Sequence, residues 1–184
     1  MSPVTYAPAP TYRPLSPTLG PHSLEGSLTQ AGGNNLSFNA SAVWPSANMA
    51  IYQPVIVHVS TTVLQLAWAN GATVSGNVDV GVYDSAFTRL VSSGSTAQSG
   101  TSVPQFVNIT DLYLAVGTYY LALACDNTTA TFVRRTPTAP FGRTPMGNFE
   151  QASAFALPAT GTPVVFTTSN FTPMVSAILT ANVV

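Results

Sequence analysis

Strict alternation of apolar and polar residues over short runs is the feature that leaves this chain the fewest possible folds. In the run 77–84, Val78, Val80 and Val82 fall on one side of an extended backbone, with Asp79, Gly81 and Tyr83 on the other. In 118–126, Tyr119, Leu121, Leu123 and Cys125 fall together in the same way. Strand side chains point alternately to two faces, so period two with one polar face predicts sheets half-buried on a core. Gly, Ser and Asn clusters separate such runs throughout 61–126, the punctuation of an antiparallel β domain. The expected fold class is all-β: an antiparallel β-sandwich, jelly-roll-like, with an extended Pro-rich N-terminal arm. A length of 184 residues suits one such domain with a sizeable core and hardly two.

Residues 1–33 read as the arm and 34–184 as the sandwich domain. Pro3, Pro8, Pro10, Pro14, Pro17 and Pro21 recur through the arm and forbid helix or central strand there. A proline-rich spacer favours extended geometry of about 3.1 Å per residue. Tyr6, Tyr12, Leu15 and Leu19 are spaced among the prolines and favour burial, so the arm is expected to lie along a neighbouring subunit, with these four side chains as its contacts. Beyond Gly32-Gly33-Asn34-Asn35, strands are expected over 36–44, 50–60 and 62–69, the last with Leu64, Leu66 and Trp68 on one face. Asn70-Gly71 is a strong hairpin signal. Asp84-Ser85 should turn the chain into 87–92, and further strands are expected at 105–110, 112–116, 118–126, 128–133, 163–168 and 174–183.

Between Arg134 and Gly161 the alternation collapses into an irregular contact loop. Arg134, Arg135, Phe141, Arg143 and Phe149 are its candidate contacts, because Arg and aromatic residues are favoured as interface anchors. The other reading of this stretch is a loop folded back over its own core.

Charge narrows the function classes. Charged residues are 6% of the chain and there is no Lys, against a usual figure of about 25%. With a net charge of −1 there is no basic field for nucleic acid or anionic lipid. A mean hydropathy of +0.28 accompanies no apolar run near the ~20 residues of a spanning helix. The N-terminus has neither a cationic start nor the apolar region of a secretory signal. The surface is then either a neutral Ser/Thr coat or one covered by other subunits.

The chemistry-bearing residues are sparse. Without Lys there is no P-loop lysine or Schiff base, and no nucleophile elbow, H-E-x-x-H or Cys pair occurs. His58 reads as a structural residue in a core strand, Cys125 as a small buried hydrophobe, and Asp84, Asp111 and Asp126 as turn formers at strand ends. No catalytic or metal site, no cofactor and no enzymatic activity are expected. Trp44, Tyr52, Tyr83 and Tyr113 are the residues from which a carbohydrate-stacking platform would be built, if exposed.

The runs Gly76-Asn77-Val78-Asp79-Val80-Gly81-Val82-Tyr83-Asp84, Ser92-Ser93-Gly94-Ser95-Thr96 and Gly117-Thr118-Tyr119-Tyr120 together resemble a β-sandwich module of tailed-phage virion proteins. The likeness is greatest to the actinobacteriophage proteins described as minor tail or head-decoration proteins. It covers roughly 50–133, and Val116 stands where such turns often carry Pro. The resemblance implies a non-enzymatic structural protein on the virion, at the head or tail surface. It would decorate or cement the capsid or tail through its arm, partnered by major capsid or tail subunits and by self-association. The alternative is a receptor- or carbohydrate-binding module of the particle, with a host-surface glycan as ligand.

Overall fold

The computed structural model describes residues 23–25, 39–135, 148–165 and 171–179. Among these, every regular element is a strand. In chain order they are β1 Ser23–Glu25, β2 Asn39–Val43, β3 Met49–Val57, β4 Thr61–Ala69, β5 Asn77–Tyr83, β6 Arg89–Ser92 and β7 Thr96–Ala97. There follow β8 Pro104–Leu114, β9 Gly117–Cys125, β10 Thr131–Arg135, β11 Phe149–Gln151, β12 Val164–Val165, β13 Thr172–Pro173 and β14 Val175–Leu179.

These strands build an antiparallel β-sandwich. The larger sheet runs β12-β11-β3-β9-β5-β6, with β7 also on β5. Facing it are a four-stranded sheet, β1-β14-β4-β8, and a small sheet, β13-β10-β2. The chain passes from the small sheet to the four-stranded one at Met174, whose amide donates to Val133 and whose carbonyl accepts from Ala69. Asn70 and Phe132 form a bridge at the same junction.

Between the layers lies one apolar core. Val78, Val80 and Val82 of β5 and Leu121, Leu123 and Cys125 of β9 meet Val63, Leu66 and Trp68 of β4 and Val175, Ala177 and Leu179 of β14. Fully burying one such side chain contributes about 1.5–3 kcal/mol, so the alternation of β5 and β9 translates directly into the sandwich interior. Burial pushes the Cys125 thiol up to about 11, which keeps it protonated. At one end Trp44 packs edge-on against Phe132 and Phe171 at 5.0 and 5.3 Å. Gln53 shares the inner face of β3, and its amide donates to the Pro173 carbonyl at 2.7 Å, tying the two layers together.

Several local expectations gave way to longer-range pairing. The second face of β5 is not solvated: Asp79, Gly81 and Tyr83 are all buried. β4 and β5 do not form a hairpin across Asn70-Gly71, because β4 pairs with β14 and β8 while β5 lies in the opposite sheet. Asn70 is instead a buried hub. Its carbonyl oxygen accepts from Trp68 Nε1 at 2.8 Å and Gln98 Nε2 at 3.0 Å, and its amide donates to the Ser99 carbonyl at 2.6 Å and to Gln105 Oε1 at 3.1 Å. A register shift between Val63 and Gln65 places Val63 in the core with Leu66 and Trp68 and leaves Leu64 half-buried. The expected strands 105–110 and 112–116 are one strand, β8, running past that irregularity, so Asp111 lies inside a strand rather than at its end. His58 is exposed beyond the end of β3. Pro54 lies past the pairing of β3 with β11, which among the described residues spans Ala50 to Tyr52.

Part of the arm belongs to the domain. β1 pairs antiparallel with β14, Ser23 opposite Ile178 and Glu25 opposite Ser176, and so forms the edge of the four-stranded sheet.

Candidate interaction face

The larger sheet and the four-stranded sheet each have an outer face floored by small side chains, and the two faces have different fates. On the larger sheet, Ala50, Ala122, Ala124 and Gly81 leave room for the chain to come back over them. A Cβ on Gly81 would lie 3.0 Å from Leu157 Cδ1 and 2.8 Å from the Val91 carbonyl oxygen. The segment 152–161 uses that room as a strap, with Ala154 and Leu157 buried against this floor beside Tyr52 and Tyr83. Polar ties hold it. The Leu157 N–H donates to Asp79 Oδ2 at 2.9 Å, the Tyr83 hydroxyl donates to the Pro158 carbonyl at 2.6 Å, and Arg89 donates to the Leu157 carbonyl. Ala154 N–H donates to the Asn48 carbonyl at 2.6 Å and Arg89 N–H to the Ala159 carbonyl at 2.9 Å. Within the expected irregular loop 134–161, Arg134 and Arg135 instead end β10 and Phe149–Gln151 form β11, while 152–161 folds back over its own sheet.

Burial pushes the Asp79 carboxyl above the usual carboxylate range, against the opposing effects of the Leu157 N–H, the Ser93 hydroxyl and the Arg89 charge. A raised folded value means that the protonated form favours the folded state. That stabilisation is complete below the unfolded value of about 3.9 and is lost as pH rises through the folded value. Asp126 works with the opposite sign: desolvation raises it, but hydrogen bonds from Asn127 and Asn77 outweigh this and leave it lowered. The comparison is therefore a difference between variants. We expect Asp79→Asn to gain stability relative to the parent as pH rises from about 4 towards neutrality, measured by urea unfolding across that range. A difference that is flat, or that shrinks with pH, would contradict the assignment.

On the four-stranded sheet the floor is Ala67, Ala69 and Ser176, walled by Pro104, Phe106, Met174 and Ile178. Register places them together: Phe106, Ala67 and Ser176 lie side by side across β8, β4 and β14, with Pro104 beside Ala69. The resulting trough has a volume of about 220 Å³ and no charged lining residue. Phe106 is 54% exposed and Tyr113, further along β8, is 67% exposed. Among the described residues nothing lies over this floor as the strap lies over the other.

The residues singled out from sequence are dispersed. Tyr6, Tyr12, Leu15, Leu19, Phe141 and Arg143 lie outside the described residues. Arg134 is half-buried in β10 with its guanidinium 5.4 Å from the Phe171 ring centre, where it gains cation–π attraction. Arg135 ends β10, paired with Thr172. Phe149 packs edge-on against Phe87 at 5.3 Å and Tyr120 at 5.7 Å, inside the aromatic cluster that covers the larger sheet. Of the four stacking candidates, Trp44, Tyr52 and Tyr83 are fully buried and only Tyr113 is exposed. Burial pushes the Tyr52 hydroxyl up to about 12, so it stays protonated and donates to Gln151 Oε1 at 3.0 Å.

Asp84 and Asp126 hold backbone turns. Asp84 Oδ1 accepts from the amides of Ala86 and Thr88 at 2.9 and 2.8 Å, shaping the turn into β6. Asp126 Oδ2 accepts from the Asn77 amide and side chain, both at 3.0 Å. Sequence reading missed Phe106, Ala67, Ala69, Met174 and Ile178. The one signal was Phe106 itself, a large ring alternating with Asn108 and Thr110 on what otherwise reads as a polar strand face. Compared with known proteins, the chain matches no family model and no curated sequence.

Proposed function

We propose that this protein is a non-enzymatic structural component of a tailed-phage virion, attached to capsid or tail through its N-terminal arm and displaying the β-sandwich on the particle surface. The observation that carries this reading is the uncharged trough on the four-stranded sheet, whose edge among the described residues is β1, a paired piece of the arm. The trough is small, but its wall carries the exposed ring of Phe106, an aromatic type enriched at protein interfaces. It occurs in a chain whose low charge already favours coverage by other subunits. The described acids with resolved hydrogen bonds act as turn and strap anchors, which supports a structural rather than a catalytic role. The resemblance over 50–133 supplies the habitat, and major capsid or tail subunits are the partners it suggests.

Quantitative mass spectrometry of washed, gradient-purified particles of the phage encoding this sequence tests the reading. The chain is expected in the particles at a reproducible copy number, high for a head lattice and low for a tail tip. Its presence in infected cells with absence from washed particles would reject a virion role.

A further inference from the structure

We propose that the trough across β14, β4 and β8 is the seat for residues 1–22 of a second copy of this chain. The inference shares with the proposed function only the premise that the arm makes contacts between subunits, and names a second copy, rather than capsid or tail, as what residues 1–22 hold.

The first argument is chemical. A floor of Ala67, Ala69 and Ser176 between walls of Pro104, Phe106, Met174 and Ile178 admits an extended backbone and offers apolar contact without charge. The strap over Ala50, Ala122, Ala124 and Gly81 is the same solution within one molecule, an irregular segment laid over a small-residue floor. Residues 1–22 carry six prolines, Tyr6, Tyr12, Leu15 and Leu19, and one charged side chain, Arg13. Proline-rich segments bearing aromatic and aliphatic side chains suit aromatic-walled grooves, because little conformational entropy is lost on docking.

The second argument is directional. β14 runs from the Met174 end of the trough towards Ile178, and β1 is antiparallel to it with Ser23 opposite Ile178. Read from Glu25 back to Ser23, β1 therefore runs from Ser176 towards Ile178, away from Met174. Seating on its own trough would require the arm to reverse the direction of β1, which favours a neighbour's trough as its seat. Reach is ample, since 22 extended residues span up to about 70 Å, whereas three strands are only about 10 Å across.

The test uses the full chain with the photoreactive residue p-benzoylphenylalanine at position 106. After irradiation, a product of dimer mass on a denaturing gel is expected, with its junction mapped by mass spectrometry to residues 1–22. Ala69→Trp, which fills the floor from a half-buried position outside the core, should weaken self-association in sedimentation velocity by at least about tenfold, equivalent to 1.4 kcal/mol. The inference is overturned by a junction to 1–22 in a product of monomer mass, by junctions only to other segments, by no cross-link, or by an Ala69→Trp chain that associates like the parent. No virion is needed. Arm exchange in solution by a chain absent from particles would uphold this inference and sink the virion reading; a particle-bound chain without the cross-link would do the reverse.

Discussion

Trp68→Ala is expected to lower the free energy of unfolding by about 3–5 kcal/mol, a large part of the 5–15 kcal/mol typical of a native domain. Trp68 is 1% exposed on the inner face of β4, between the β14 and β8 neighbours that hold the strand. Truncation removes its apolar contacts and leaves a cavity that close-packed sheets refill poorly. The lost hydrogen bond is the smaller effect, because Asn70 Oδ1 still accepts from Gln98. Trp68→Phe, which keeps most of the ring volume and drops the N–H, should therefore cost much less than the alanine variant. Urea unfolding followed by the remaining Trp44 reads both. A loss below about 0.5 kcal/mol for the alanine variant, the range of ordinary surface substitutions, would remove Trp68 from the core.

Tyr83→Ala should be comparably severe, about 3–5 kcal/mol, but its effect should appear in a different place. The Tyr83 ring lies on the outer face of the larger sheet, edge-on to Tyr52 at 5.1 Å, and its hydroxyl holds the Pro158 carbonyl. Its removal takes away both the floor contact and one tie of the strap. Tyr83→Phe removes the tie alone and should cost about 0.5–1.5 kcal/mol. Hydrogen exchange distinguishes local release from global loosening. Amides of 152–161 and of β6 should exchange about two- to tenfold faster in Tyr83→Phe, while those of β4 and β14 keep parental protection relative to global stability. Equal acceleration in β4 and β14 would show that the strap and the sandwich core open as one unit.

These two residues also mark how far the sequence can be read. Val78, Val80 and Val82 announce a strand with one apolar face, and that face is the core. The same pattern says nothing about who covers Asp79, Gly81 and Tyr83, because the cover comes from Leu157 and Pro158, more than seventy residues away. Asn70-Gly71 carries a local hairpin signal that fails for a related reason: the partners of β4 are β14 and β8, and once those pairings form, Asn70 is worth more as the buried acceptor of Trp68 and Gln98 than as a turn. Phe149 illustrates the converse. Its residue type suits an interface anchor, yet Phe87 and Tyr120 of its own chain meet its ring.

The apolar trough was least legible of all. No window of the chain contains it, since Ala67 and Ala69, Phe106, and Ser176 and Ile178 come from three separate strands. In sequence each is an isolated small or apolar residue on a strand face that would otherwise read as solvated. Only the register across β8, β4 and β14 sets them side by side.

What the residues determine alone is local: period-two alternation imposes strands, proline excludes helix from the arm, and Asp84 fashions its own turn through two backbone amides. What tertiary structure decides is which faces find a cover. Alternation depends on the next two residues, whereas cover depends on partners dozens of residues distant. For that reason the valines of β5 were legible from the start, while the strap over one sheet and the open floor on the other emerged only with the pairing of strands.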